Sequence, residues 1–144
     1  MATRRTVHSA IFKHTAVGLS APLTPSPILS AMNDNVVVPE ITPEELNTRF
    51  ELGHTPVLVD VRELFEREIV DLPQHGQLSI PTGEFIERMG ELDPAKEVVV
   101  YCRSGGRSEQ VARYLMQNGF EQVLNLRGGI LGWRQEVDPS LPTY

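Results

Sequence analysis

The chain contains one cysteine, Cys102, followed directly by Arg103-Ser104-Gly105-Gly106-Arg107-Ser108. A thiol attacks as its thiolate, and a thiolate needs positive potential around it. Three sources of that potential are written into this stretch. The Gly105-Gly106 turn can curl backbone N–H groups inward as a nest for an anion. A helix beginning after the turn adds the positive end of its dipole. Arg103 and Arg107 add full charges. Together they predict a Cys102 pKa below the free-thiol value of about 8.5, and a cradle suited to a persulfide anion or an anionic sulfur donor. An inert buried cysteine would need none of these features. Ser104 and Ser108 can donate hydrogen bonds to a bound sulfur group, and Ser108 can equally cap its helix.

A second polar cluster, Asp60-Val61-Arg62-Glu63, ends another apolar run. Asp60 and Arg62 read there as a structural ion pair rather than as catalytic groups. Arg127, ahead of Gly128-Gly129, reads as part of a tight turn and only secondarily as a wall of the site. One cysteine excludes an internal disulfide, a C-x-x-C redox pair and a multi-cysteine zinc site. The four histidines, His8, His14, His54 and His75, lack metal-ligand spacing, so neither metal nor cofactor is expected.

Alternating strands and helices must position these clusters. Val36-Val37-Val38 is a β-branched run stopped by Pro39. A helix opens at Thr42, with Pro43 as its first residue, Glu45 completing a capping box and Gly53 closing it. Val57-Leu58-Val59-Asp60-Val61 and Val98-Val99-Val100-Tyr101 are apolar enough to be buried parallel strands. Leu78-Ser79-Ile80 and Val123-Leu124-Asn125-Leu126 read as further strands. Helices are expected over 63–69, from Phe85 to Leu92, over 108–118 and over 129–137, the last with Trp133 in the core. The pattern predicts an α/β domain over 36–138: a roughly five-stranded, mainly parallel sheet flanked by helices on both faces. Ligands in such sheets bind beyond the carboxyl ends of the strands, where Cys102 and Asp60 fall.

Residues 1–31 hold three basic residues and no acid, with recurrent Ser, Thr and Pro. Residues 1–35 therefore read as a disordered extension, either a transit peptide or sequence upstream of a start at Met32. The rest of the chain carries ten Lys/Arg against nineteen Asp/Glu, a formal −9 that repels phosphate backbones and argues against nucleic acid as a partner. No apolar run approaches the roughly 20 residues of a membrane span, so a soluble protein is expected, in the cytoplasm or, with a transit peptide, in an organelle. Residues 139–144 read as a tail, and oligomeric state is not legible.

From Ile41 to Trp133 the chain resembles the rhodanese-like family. The resemblance rests on Val59-Asp60-Val61-Arg62-Glu63, Ile80-Pro81, Val99-Val100-Tyr101-Cys102-Arg103-Ser104-Gly105-Gly106-Arg107-Ser108, and Leu126-Arg127-Gly128-Gly129-Ile130 with Trp133. It implies a five-stranded parallel sheet and a cysteine that accepts sulfane sulfur. The expected reaction passes sulfur from a donor such as thiosulfate or a persulfide, through Cys102, to a thiol or carrier-protein acceptor. The family's usual Gly-His-Ile-Pro-Gly-Ala is absent. Here the segment runs Val70-Asp71-Leu72-Pro73-Gln74-His75-Gly76, two residues longer, with Asp71 in place of the histidine. Two rival readings remain: an oxyanion enzyme (phosphatase or arsenate reductase), or a non-catalytic interaction module. The C-x4-R spacing from Cys102 to Arg107 speaks against the first, because C-x5-R phosphatases use a wider ring of N–H donors to surround phosphate. The intact cysteine and arginines speak against the second.

Overall fold

The computed structural model describes residues 36–144; expectations about residues 1–35 lie outside the described residues. Five strands form one parallel sheet: β1 (Glu40–Ile41), β2 (Val57–Asp60), β3 (Leu78–Ser79), β4 (Val98–Tyr101) and β5 (Val123–Leu126), in the order β1-β5-β4-β2-β3. Five α-helices connect or follow them: α1 (Pro43–Glu51), α2 (Leu64–Ile69), α3 (Phe85–Arg88), α4 (Gly106–Gln117) and α5 (Gly129–Glu136). The chain leaves β2 toward one edge of the sheet and leaves β4 toward the other. The carboxyl ends of β2 and β4 therefore flank the topological switch point, where a ligand crevice forms.

Strand alternation assigns the two cores. Val98, Val100 and Cys102 face one side of the sheet with Val59, Val61, Val111, Ala112 and Leu115. Val99 and Tyr101 face the other with Leu46, Leu58, Ile130 and Trp133. The period of two thus decides that the thiol points toward α4 rather than α5. Helix α1 starts as its sequence requires: Thr42 Oγ1 accepts from Glu45 N–H at 3.1 Å, and Glu45 Oε1 accepts from Thr42 N–H at 2.9 Å.

Three elements differ from expectation by more than one residue at an end. The first strand is Glu40–Ile41 and not the valine run: Pro39 has no N–H, and its carbonyl, accepting from Asn125 N–H at 2.9 Å, is where pairing with β5 begins. The single helix expected from Phe85 to Leu92 is one turn of α3 between two 3-10 segments, Thr82–Glu84 and Met89–Glu91. Helix α4 starts at Gly106, two residues earlier than expected, because Gly105 already has the left-handed conformation that caps it. Among the described residues no helix is long and apolar enough to cross a membrane.

Candidate active site

Cys102 leaves the central strand β4 and is 1% exposed. The backbone then turns through Gly105, whose φ of +107° strains any residue with a Cβ. That turn aims the Gly105 N–H at Cys102 Sγ, 3.1 Å away, with the amino end of α4 immediately behind. Burial pushes the Cys102 thiol up. The Ser108 hydroxyl and the backbone N–H groups of Ser108, Gly105 and Ser104 outweigh it, so the thiol lies below its ordinary value. Of the sources the sequence offered, the inward N–H groups, joined by the Ser108 hydroxyl, lead this effect ahead of the arginine charges.

Both arginines of the loop are engaged elsewhere. Arg107 makes a two-pronged ion pair with Glu66 of α2, at 2.8 Å to Oε2 and 3.0 Å to Oε1. The Tyr144 hydroxyl donates to Glu66 Oε1 at 3.0 Å and accepts from Arg62 at 3.0 Å. The Arg103 Nε–H donates to the main-chain oxygen of Tyr144, and its guanidinium lies 5.2 Å from the Tyr144 ring centre. Residues 139–144, read as a tail, thus end against the site, and Leu141 and Tyr144 pack on the α5-side core. Arg127 points away, exposed and paired with Glu40 at 3.0 Å.

Arg107 holds the Glu66 carboxyl at about 2, against a burial effect that would raise it. A folded-state pKa below the ordinary 4.5 means that this group stabilises the domain above pH of about 4.5 and loses that contribution as pH falls toward 2. Glu66→Gln should remove this part of the acid limb. Unfolding curves of the two proteins should converge between about pH 4.5 and 2, and parallel curves over that window would refute the assignment.

Beneath the loop, side chains fix its shape. Asn125 of β5, 3% exposed, donates from Nδ2 to the Gly105 carbonyl at 3.1 Å and accepts from Ser108 Oγ at 2.6 Å. A hydroxyl has one hydrogen, and Ser108 also stands 3.4 Å from Cys102 Sγ. Asn125 therefore competes with the thiolate for that hydrogen, leaving the backbone N–H groups as the uncontested donors. The first turn of α5 holds the other side: the N–H groups of Ile130 and Leu131 donate to the carbonyls of Cys102 and Arg103, each at 3.0 Å. These bonds orient the two carbonyls away from the thiol and the N–H groups toward it.

Asp60 and Arg62 form a fully buried ion pair, with Arg62 Nε donating to Asp60 Oδ1 at 2.9 Å and Nη2 to Oδ2 at 2.9 Å. Asp71 joins them. It accepts from Arg62 at 3.2 Å and from the Tyr101 hydroxyl at 2.7 Å. The longer segment after α2 is held by Gln77, whose amide donates to the carbonyls of Leu72 and Pro73, while His75 stacks on Phe50 at 3.7 Å. Glu66, Asn125, Tyr101 and Tyr144 were not among the site residues read from the sequence. Asn125 alone left a signal there, as a polar residue within an apolar strand. Among the described residues no group of three or more His, Cys, Asp or Glu side chains could hold a metal.

A buried thiol at the head of a central parallel strand, cradled by the following helix, defines a cysteine-centred α/β domain of the rhodanese type. The rhodanese-like domain model matches residues 42–136, and the chain belongs to the rhodanese-like domain family. A sulfurtransferase of Allochromatium vinosum is 43% identical over 106 residues, covering 72% of this chain and 94% of that protein. The chloroplastic rhodanese-like/PpiC domain-containing protein 12 of Arabidopsis thaliana is 38% identical over 127 residues, which are 81% of this chain but 41% of that protein. The crystal structure of a rhodanese-related protein from Thermoplasma volcanium superposes with a TM-score of 0.62 at 28% identity, covering 70% of this chain and 95% of that one.

Proposed function

We propose that this chain is a sulfurtransferase that carries sulfane sulfur as a persulfide on Cys102. Residues Arg103, Ser104, Gly105, Gly106, Arg107 and Ser108 form its substrate-binding loop. The observation that carries the reading is the Gly105 N–H aimed at a buried Sγ from the head of α4. The relative named as a sulfurtransferase, matched over nearly its whole length, supports sulfur transfer in general. In the first step the thiolate attacks the outer sulfur of a donor. A Cys102–S bond forms, the donor's own bond to that sulfur breaks, and the remainder leaves with the electron pair, as sulfite from thiosulfate or as a thiolate from a persulfide. Inward-facing N–H groups hold the terminal sulfur anion. A thiophile then attacks that sulfur and regenerates the Cys102 thiolate. With no second cysteine in the chain, the acceptor is external: cyanide in an assay, a thiol or a carrier protein otherwise.

The test is intact mass spectrometry after incubation with thiosulfate and, separately, with a low-molecular-weight hydropersulfide. The wild type should gain the mass of one sulfur atom, lost again on treatment with cyanide or dithiothreitol, and Cys102→Ser should gain none and turn over nothing. Sulfur transfer by Cys102→Ser, or Cys102-dependent hydrolysis of p-nitrophenyl phosphate faster than sulfur transfer, would overturn the reading.

A further inference from the structure

We propose that Glu66 sets donor preference by neutralising Arg107, so that the site favours hydropersulfides over the dianion thiosulfate. The inference rests on the sulfurtransferase reading and names the donor class for the same cysteine. The charges around the mouth decide it. Arg62 is matched by Asp60 and Asp71, and Arg107 by Glu66, through two short bonds to a carboxylate whose side chain is only 7% exposed. The Tyr144 hydroxyl donates to the same carboxylate, which fixes Glu66 in place as the arginine's partner. Among the described residues Arg103 has no side-chain carboxylate against it, and its Nε is already bound to the main-chain oxygen of Tyr144.

The two donors place different demands on this arrangement. Thiosulfate brings two negative charges to a thiolate, so three charges gather before sulfite departs with two of them. A hydropersulfide is attacked in its protonated form, R–S–S–H, whose reacting sulfurs bring none: the thiolate attacks the terminal sulfur, the S–S bond of the donor breaks, and a thiolate leaves carrying the one charge present. A cradle of backbone dipoles is sufficient for one negative charge but not for three. The third would call on Arg107, which Glu66 withholds, in a described body whose acids outnumber its bases.

The experiment measures kcat/KM for thiosulfate and for the hydropersulfide of 2-mercaptoethanol, whose carbon skeleton is uncharged, with cyanide as common acceptor, and reads their ratio. A ratio cancels any change in Cys102 ionisation or folding that affects both donors alike. The wild type should favour the hydropersulfide at least tenfold. Glu66→Gln, which keeps an acceptor for the Glu63 N–H that now donates to Glu66 Oε2 at 3.0 Å, should shift the ratio at least fivefold toward thiosulfate. The paired variant Glu66→Gln/Arg107→Gln removes both charges and should return the ratio to within twofold of wild type. That variant tests the charge argument even where the single variant folds poorly. A ratio unmoved by Glu66→Gln, or a wild type that favours thiosulfate, overturns the donor inference while leaving Cys102 loading intact. Failure of both donors to load Cys102 would instead overturn the sulfurtransferase reading beneath it.

Discussion

Arg62→Met is expected to destabilise the domain by about 3–5 kcal/mol, the range seen when one partner of a buried ion pair is removed. The side chains of Arg62 and Asp60 are both fully buried, and every donor of the guanidinium is used: two bonds to Asp60, one to Asp71, one to the Tyr144 hydroxyl and a longer one to the Glu66 carbonyl. Methionine fills much of the volume but leaves the buried Asp60 and the half-buried Asp71 facing each other without the guanidinium between them. Arg67, 3.8 Å from Asp60 and 3.4 Å from Asp71, softens the loss without replacing the geometry. The comparison that isolates the cause is Asp60→Leu/Arg62→Met, which removes the charge together with its partner and should be milder than the single change. Urea unfolding of the variants decides it. A single-variant loss under about 1 kcal/mol would place the pair among weak surface ion pairs and contradict its burial.

Gly129→Ala is the second large effect, expected at about 2–5 kcal/mol. A left-handed residue with a Cβ costs ~1–2 kcal/mol, and forced overpacking adds ~1–3. Gly129 has φ +57°, and an added Cβ would stand 2.3 Å from the Cys102 carbonyl oxygen and 2.7 Å from that of Arg103. Relief requires the loop or α5 to move, which breaks the bonds from Ile130 and Leu131 and turns the cradle's N–H groups off the sulfur. Sulfur transfer should therefore fall with stability. Gly53→Ala is the control: φ there is +79°, but nothing lies within 4 Å of the added atom, so only the conformational cost applies. If the two variants lose equal stability, the contact with the loop carries no weight.

Much of this was legible because it is local in the chain. The strand ending at Tyr101, the Gly105 turn and the helix behind it lie in one continuous stretch from Val98 to Gln117, and apolar runs with glycine punctuation fix them. The capping box at Thr42 is local for the same reason. What could not be read is partner choice across the fold. Arg107 finds Glu66 forty-one positions away, and Arg62 finds Tyr144 eighty-two away. Nothing in the intervening sequence distinguishes Glu66 from the exposed acids around it. The segment ending at Tyr144 has no helical or strand period, so its packing on the core leaves no pattern to detect. Asp71 was visible as a departure from the family's histidine. Its bonds to Tyr101 and Arg62 required the sheet to be assembled first.

The grip of α5 on the carbonyls of Cys102 and Arg103 bears on portability. The six residues from Cys102 to Arg107 look like a module that could be transplanted onto any strand-to-helix junction. Yet the loop's own carbonyls are answered by a different junction, twenty-eight residues downstream, where a glycine leaves room for them. Moved alone into a foreign scaffold, the loop would carry two orphaned acceptors and collapse around its thiol. The transferable unit is the pair of junctions, β4–α4 with β5–α5, so an engineer seeking this chemistry elsewhere must carry over both.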